Sequence, residues 1–343
     1  MKRLCIYSFF ALVLLSVTAF SATSDDLKND DLSGNVKMMT KTTFFAVEKA
    51  GKYVKTNIKY FPFVTTYDKN GNRIWGKEYD PAGSVLRTWV YKYDDNGNRL
   101  ELKILDINGN PTQIINYKYD GRDNLIKKIN TNIEKIDSNT DNITIERWAY
   151  KYDEAGNKIE EIYYDGSGNV IKKFVNKYDD KGNKIETVSF KKDGSIFNTT
   201  KMKYDGRGNL IEMVSYNSDY KPTWKETYKN DAHGNLIEKA AYVNGDKLLW
   251  KIVMNYNNHG ELSNKVIESY SKADSTNIHS QTNMNTEENK TGVAEDKKNI
   301  KKSITGTNYI YVYDDNGNWI KKIMKSGDSE IMITERTIEY YGK

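Results

Sequence analysis

Short runs of alternating apolar and polar residues fill most of the chain, and a tyrosine- and glycine-containing motif separates them. The motif reads Tyr-Asp-x-x-Gly-Asn, and degraded copies keep its length. Asp, Gly and Asn are typical turn formers, because Asp accepts backbone N–H bonds and Gly adopts positive φ. Full copies begin at Tyr67, Tyr93, Tyr152, Tyr164, Tyr178, Tyr204 and Tyr313; degraded copies begin at Tyr79, Leu105, Tyr119, Phe190, Tyr216, Asn230, Tyr242 and Tyr256.

The spacing of the motifs shows a longer repeat. From residue 67 and again from residue 152, successive copies start alternately 12 and 14 residues apart. The repeat is therefore 26 residues long and contains two turns, and a fixed period of this kind is typical of repeat architectures. Nine repeats begin at positions 67, 93, 119, 152, 178, 204, 230, 256 and 313.

Between the turns, the alternation predicts half-buried strands. Trp89, Tyr91 and Tyr93 fall on one face and Lys92 on the other. Runs of seven to nine residues have the usual strand length. The sequence therefore predicts an all-β fold, an elongated and twisted antiparallel meander of about 18 strands built from 26-residue, two-hairpin repeats.

The repeats also predict the organisation of the chain. Residues 22–66 form an N-terminal segment whose part from Val36 to Thr66 is a β cap, and residues 67–270 form the repeat array. A seven-residue insertion lies near Asn130 to Asn142. Residues 271–308 form a polar insertion that we expect to be a mobile loop, and residues 309–343 form the last repeat and a C-terminal strand.

Residues 1–21 have the features of a removable signal peptide. Lys2 and Arg3 precede an apolar run from Leu4 to Phe20, and small residues at Ala19 and Ser21 suit cleavage before Ala22. Cleavage after Ala19 and retention as a membrane anchor are alternatives. We expect an exported bacterial protein that is periplasmic, at the cell surface or secreted, with no membrane span after cleavage. The single cysteine, Cys5, lies in this leader.

The repeat resembles the YD, or Rhs-type, repeat of bacterial surface and secreted proteins. Tyr152–Asn157 and Tyr313–Trp319 carry the clearest matches, and the resemblance covers about residues 67 to 341. It implies long, curling antiparallel sheets, which in that family sometimes form a hollow shell around a toxic C-terminal domain, and it implies carbohydrate binding. Nine repeats are few for a large shell, and the chain is more similar to short, stand-alone YD-repeat proteins.

Composition and motifs disfavour several kinds of chemistry. Basic and acidic residues number 52 and 47 and are interleaved, whereas nucleic-acid binding usually shows a concentrated basic footprint. Asp94–Asn98 has Gly at the fourth position and strands on both sides, unlike a calcium loop. His233 and His259 occupy turn positions, and no nucleophile motif or zinc-ligand cluster stands out. We expect no enzyme activity, no cofactor and no metal site.

Two sets of residues are candidates for ligand binding. Trp224 and Trp250 occupy one repeat position, and we expect them to point outward as aromatic platforms, whereas most other aromatic rings pack a thin core. A row of lysines precedes the motif tyrosines, and a row of glutamates stands on the next strand, so that the two rows attract each other. The lysines could bind acidic glycans or serve only as a solvated face; they are Lys92, Lys118, Lys151, Lys177, Lys203 and Lys229.

Three functions remain open. The first is a non-enzymatic binding or scaffold surface for a glycan or another envelope protein, supported by the export signal and the repeated surface. The second is a purely structural envelope component that associates with itself. The third is a hydrolase with an unrecognised site.

Overall fold

A computed structural model of the chain describes residues 26–80, 82–135, 140–243, 246–272, 300–327 and 330–342. The described residues form one short helix and twenty strands. In chain order these are α1 (Asp26–Asn29), β1 (Val36–Lys49), β2 (Lys52–Tyr67), β3 (Arg73–Tyr79), β4 (Val85–Tyr93), β5 (Arg99–Leu105), β6 (Pro111–Tyr119), β7 (Leu125–Lys135), β8 (Asp141–Tyr152), β9 (Lys158–Tyr164), β10 (Val170–Tyr178), β11 (Lys184–Phe190), β12 (Ile196–Tyr204), β13 (Leu210–Asn217), β14 (Pro222–Asn230), β15 (Leu236–Val243), β16 (Lys247–Tyr256), β17 (Leu262–Lys272), β18 (Ile300–Tyr313), β19 (Trp319–Ser326) and β20 (Glu330–Tyr340).

The sheet closes on itself. Each strand pairs antiparallel with the next along the chain, and β1 also pairs with β20. The predicted all-β antiparallel fold is confirmed. The predicted elongated meander is not confirmed, because the segment expected to be a cap, Val36 to Thr66, forms β1 and β2 and joins the two ends of the sheet. Closure gives hydrogen-bond partners to N–H and C=O groups that an edge strand would leave free.

The motif turns have the geometry that their residues predict. In the first turn, one Asp68 oxygen accepts the backbone N–H groups of Asn70 and Asn72, at 2.8 and 2.9 Å. Gly71 adopts a φ of 85°, which glycine tolerates because it has no Cβ. In the degraded turn after Tyr119, Asp123 takes the same place with a φ of 61°. Hydrogen bonds from the Asn157 side chain and backbone lower the pKa of Asp153 in the equivalent turn.

The turns lie at two ends of the closed sheet. The turns that follow the strands ending at Tyr67, Tyr93, Tyr119, Tyr152, Tyr178, Tyr204, Asn230, Tyr256 and Tyr313 lie at one end, which we call the motif rim. The alternate turns lie at the other end, the hairpin rim. The predicted insertion near Asn130 to Asn142 lengthens β7 and β8 at the hairpin rim. Of the predicted 271–308 insertion, residues 271–272 belong to β17 and 300–308 to β18, and residues 273–299 lie outside the described residues.

Little of the described chain is a dry apolar core. Its fully buried hydrophobic side chains are few, and four of them (Leu32, Val36, Met39 and Tyr67) form one cluster where β1 joins β2 and β20. Most other apolar and aromatic side chains are half-buried. The closed sheet therefore has a small dry core, and most of its inner face is only half-buried.

Candidate functional site

The tyrosines that precede the turns of the motif rim lie on the inner face of the closed sheet. The hydroxyl groups of Tyr152 and Tyr178 donate to the backbone oxygens of Leu125 and Lys158 in the preceding repeats, at 2.9 and 2.8 Å. Burial raises the pKa of both tyrosines to about 12. Burial also lowers the pKa of Lys184 on the same face. Burial is therefore the main cause of the pKa shifts on the tyrosine side, which is the enclosed side and packs against the amino-terminal segment through Tyr67 and Tyr93.

The outer face carries a belt of lysine and glutamate side chains. Glu160 forms ion pairs with Lys151 and Lys173, each with an N–O distance of 2.6 Å, and the two lysines lower its pKa. Five of the six predicted lysines lie directly opposite a glutamate and pair with it: Lys92 with Glu101, Lys151 with Glu160, Lys177 with Glu186, Lys203 with Glu212 and Lys229 with Glu238. We call these ten residues the outer belt. Lys118 lies opposite Lys127 instead.

The two tryptophans proposed as ligands do not point outward. Trp224 lies on the same face as Glu226 and Tyr228. Lys225 and Lys229 lie on the opposite face, where they pair with Glu212 and Glu238 of the outer belt. Trp250 is also on the inner face, where Lys239 lies over its ring at 5.5 Å. The predicted orientation is wrong because both residues stand two places before the repeat position of Trp89 and Trp148, and side chains two apart on a strand share a face.

Small polar side chains interrupt the aromatic inner face between β10 and β14. Thr187 donates to Asn176 at 2.8 Å, and the Thr200 and Ser215 hydroxyls are 3.0 Å apart. Ser189 bonds to Asn198 beside them. The strand registers place all of these on one face, with Phe174 at one side and Trp224 at the other. We call Asn176, Thr187, Ser189, Asn198, Thr200 and Ser215 the polar strip.

Trp224 lacks the ring and cation contacts that the other inner tryptophans make among the described residues. Its cross-strand neighbours are Ser215 and Val243, and no ring or cation stacks on it among the described residues. By contrast, Trp148 stacks on Tyr163 with ring centroids 5.1 Å apart and has Lys128 over it at 4.7 Å. Because Ser215 of the polar strip lies directly opposite Trp224, this tryptophan borders the strip.

The amino-terminal segment packs on the inner face at the motif rim. Asp26 has no exposed surface; its carboxylate accepts from Arg99 at 2.8 Å, from the Tyr93 hydroxyl at 2.6 Å and from the Arg73 backbone at 3.0 Å. Asp30 pairs with the Arg73 guanidinium through two bonds, at 2.6 and 3.0 Å. These contacts tie the start of the chain to the first repeats.

A second ionic group lies where the sheet closes. Lys41 on β1 lies directly opposite Arg336 on β20, and Lys322 on β19 is on the same face. We call Lys41, Lys322 and Arg336 the seam cluster. The Arg336 guanidinium lies 3.4 Å from the centroid of the Trp319 ring and donates to the backbone oxygens of Asp30 and Asp31, at 2.8 and 3.2 Å.

Sequence reasoning missed both the polar strip and the seam cluster. A signal for the polar strip exists, because Asn176 and Thr200 occupy positions that hold Tyr150 and Trp148 in another repeat. The seam cluster has no such signal, since Lys41 lies outside the repeats and meets Arg336 only through closure. The described part of the chain contains no cluster of three metal-ligating His, Cys, Asp or Glu side chains, and it has no helix with the length and apolar character to cross a bilayer.

Neither a protein family nor a curated protein matches the sequence. Among solved structures, this protein is similar to a chain of the crystal structure of TcdB2-TccC3-Cdc42. The two share 14% identity and a TM-score of 0.26 over 79% of this chain and 19% of that chain. It is also similar to one in the Photorhabdus luminescens Tc holotoxin pore, at 14% identity and a TM-score of 0.28 over 84% and 16%. A porin-like protein from Bacteroides uniformis aligns at 10% identity and a TM-score of 0.36 over 89% and 96%. The chain thus spans less than a fifth of the two toxin chains, and its relation to the YD family stays a prediction.

Proposed function

We propose that this protein is a non-enzymatic, exported binding protein that holds a glycan on its inner face. The observation that supports this most is the polar strip bordered by Trp224. Export rests on the predicted signal peptide, residues 1–21, which lie outside the described residues. The final compartment is the periplasm, the cell surface or the medium.

The chemistry of the polar strip suits a carbohydrate. A sugar ring presents C–H groups on its faces and hydroxyl groups at its edge. An indole offers a flat apolar surface to the faces. Each serine or threonine hydroxyl has one donor and two acceptor positions, so the bonds within the strip leave capacity for a ligand. Ligand sites commonly combine apolar walls with a few placed polar groups in this way.

The test is binding of soluble oligosaccharides to the purified mature chain. A panel of cello-, xylo-, chito-, galacto- and galacturono-oligosaccharides is titrated by isothermal calorimetry. We expect at least one to bind, and Trp224→Ala to weaken that binding by about tenfold or more, which corresponds to about 1.4 kcal/mol. Thr200→Val, which keeps the side-chain shape, should weaken it by a smaller factor.

Trp75→Ala is the matched control. Trp75 lies opposite Val90, on the outer face, with Lys77 over its ring at 4.9 Å. The control variant should bind the same oligosaccharide as the unmodified protein does. No binding across the panel, or equal losses for the two tryptophan variants, would contradict a glycan site at the polar strip.

Exposed apolar side chains near the hairpin rim favour a second candidate, a structural component that associates with itself. Ile107, Ile143, Phe197 and Tyr220 are each more than half exposed, and burying such side chains between two copies of the chain would favour association. Sedimentation equilibrium over a range of protein concentrations tests this function. A monomer at every concentration would remove it, and a defined oligomer without oligosaccharide binding would favour it over the first.

A further inference from the structure

The seam cluster departs from the charge pattern of the outer belt. On the outer belt, each lysine faces a glutamate across the strand pair, whereas Lys41 faces Arg336. Like charges directly opposite each other destabilise a sheet. A local arrangement that costs stability is a reason to look for a function at that place.

Arg336 is held rigidly and keeps unused bonding capacity. Its side chain is covered by Trp319 and by the backbone of Asp30 and Asp31, and only 8% of the residue is exposed. Its Nε atom is buried and has no hydrogen-bond partner. A guanidinium fixed in this way suits bidentate recognition of a carboxylate or a phosphate.

The two lysines face the enclosed space without a carboxylate partner. Lys41 is exposed and makes no hydrogen bond or ion pair with any described residue. Lys322 lies over the rings of Tyr309 and Tyr311, at 5.1 and 5.6 Å, and likewise forms no ion pair among the described residues. Lys41 keeps accessible surface although it lies inside the closed sheet, where partial desolvation lowers its pKa and the charge of Arg336 lowers it further.

The nearby acidic groups do not neutralise the cluster. Asp30 is occupied by Arg73 and by the Tyr67 hydroxyl. Asp31 acts through space on Lys41, Lys322 and Arg336 but forms no ion pair with them among the described residues. Glu261 acts through space on Lys322 and accepts a hydrogen bond from the Tyr313 hydroxyl. Arg73 adds a further positive charge near Lys41. The seam cluster therefore presents an excess of positive charge beside two tyrosine rings.

We propose that the seam cluster binds an anionic oxygen group, the carboxylate or phosphate of an acidic saccharide, with Arg336 as the fixed donor and Lys41 and Lys322 as flexible ones. Tyr309 and Tyr311 supply the adjoining aromatic surface. This inference rests on the proposed glycan-binding function and specifies the charge of the ligand. Inorganic phosphate shares the recognised chemistry and serves as a separate probe.

The experiment compares three probes on the full mature chain: a galacturonic acid oligosaccharide, a neutral galactose oligosaccharide of equal length, and inorganic phosphate. We expect tighter binding of the acidic than of the neutral oligosaccharide. Lys41→Gln combined with Lys322→Gln should weaken acidic binding by about tenfold or more and leave neutral binding unchanged. Lys118→Gln, an outer-face lysine without a glutamate opposite, should change neither.

Melting temperature gives a second readout that does not depend on the oligosaccharide. Lys41→Gln should melt at the same temperature as the unmodified protein or higher, because it removes a like-charge contact. Phosphate should raise the melting temperature of the unmodified protein and not that of the double variant.

The outcomes separate the two proposals. Equal affinity for acidic and neutral oligosaccharides, or unchanged acidic binding in the double variant, overturns the seam site and leaves glycan binding standing. A phosphate effect that the double variant abolishes, without binding of any oligosaccharide, supports the anion site and contradicts the glycan function. The absence of both acidic binding and a phosphate effect overturns the seam site.

Discussion

The outer belt and the seam cluster both consist of charged side chains, but the belt pairs opposite charges and the cluster brings like charges together. In the outer belt, two lysines share each glutamate; Glu238, for example, is 2.8 Å from Lys229 and 2.6 Å from Lys251. In the seam cluster, Lys41 and Arg336 meet with no acidic side chain between them. The belt has the arrangement that pairwise electrostatics favours, and the cluster has the one that it disfavours.

The outer belt has the features of a solvated surface, whereas the seam cluster has those that we expect of a ligand site. The lysines of the belt are about two-thirds exposed, and exposed pairs contribute little stability. Their regular charge also discourages edge-to-edge association during folding. The seam cluster gains nothing of this kind, because its charges face inward and repel one another. The contrast is why we place ligand recognition on the inner face rather than on the predicted lysine row.

Alkaline pH should lower the stability of the protein more than any of the substitutions below, because ionisation of the buried tyrosines adds over many repeats. Burial raises the pKa of Tyr119, Tyr152, Tyr178 and Tyr311 from 10.0 to about 12. A raised folded pKa gives stability that is full below pH 10 and is lost as the pH rises to about 12. Melting temperature and tyrosinate absorbance measured across this range check it. Tyr178→Phe should reduce the dependence slightly; a flat profile would contradict the enclosed position of the tyrosines.

Asp26→Asn should cause the largest loss among single substitutions. It leaves Arg99, and in part Arg73, without the buried carboxylate that they contact. Breaking a buried ion pair costs about 3–5 kcal/mol, to be measured by chemical denaturation. Asp95→Asn is the control, because the Asp95 side chain is exposed and makes no hydrogen bond or ion pair with described residues. Equal stability of the two variants would mean that the amino-terminal segment does not support the closed sheet.

Gly76→Ala should crowd the inner face at a single point. A Cβ at Gly76 would lie 3.0 Å from the ring of Phe63, which packs edge-on against Trp89 at 5.2 Å. Overpacking of this kind costs about 1–3 kcal/mol. Gly206→Ala is a matched control, since nothing lies within 4 Å of its added Cβ. Thermal unfolding of both variants decides the point, and identical melting curves would show that the inner face is looser than described.

Glu160→Gln should have the smallest effect. It removes the acidic partner of Lys151 and Lys173. Because the Lys151 side chain is 69% exposed, solvent screens its charge, and pairs of this kind contribute at most about 1 kcal/mol. High salt should erase the difference from the unmodified protein, because salt screens surface charges. Glu154→Gln is the control, as its exposed carboxylate pairs with no described residue. A loss as large as that of Asp26→Asn would show that the belt, and not the amino-terminal segment, holds the sheet.

The sequence by itself determined the strands, the turns and the two faces of each strand. The 12 and 14 spacing places a turn wherever Asp and Gly recur, and the alternation separates Tyr91 from Lys92, since both signals act between residues close in the chain. It even places lysine opposite glutamate, because neighbouring repeats pair in a fixed register.

Only the tertiary structure decided that the sheet closes and what closure brings together. Local patterns do not reveal which strand β1 will meet, because the pairing of β1 with β20 joins residues some 300 apart, as in Lys41 and Arg336. The buried site of Asp26 and the inward orientation of Trp224 likewise depend on contacts between distant strands. The enclosed face, and with it the proposed binding site, exists only because the two ends of the chain hydrogen-bond to each other.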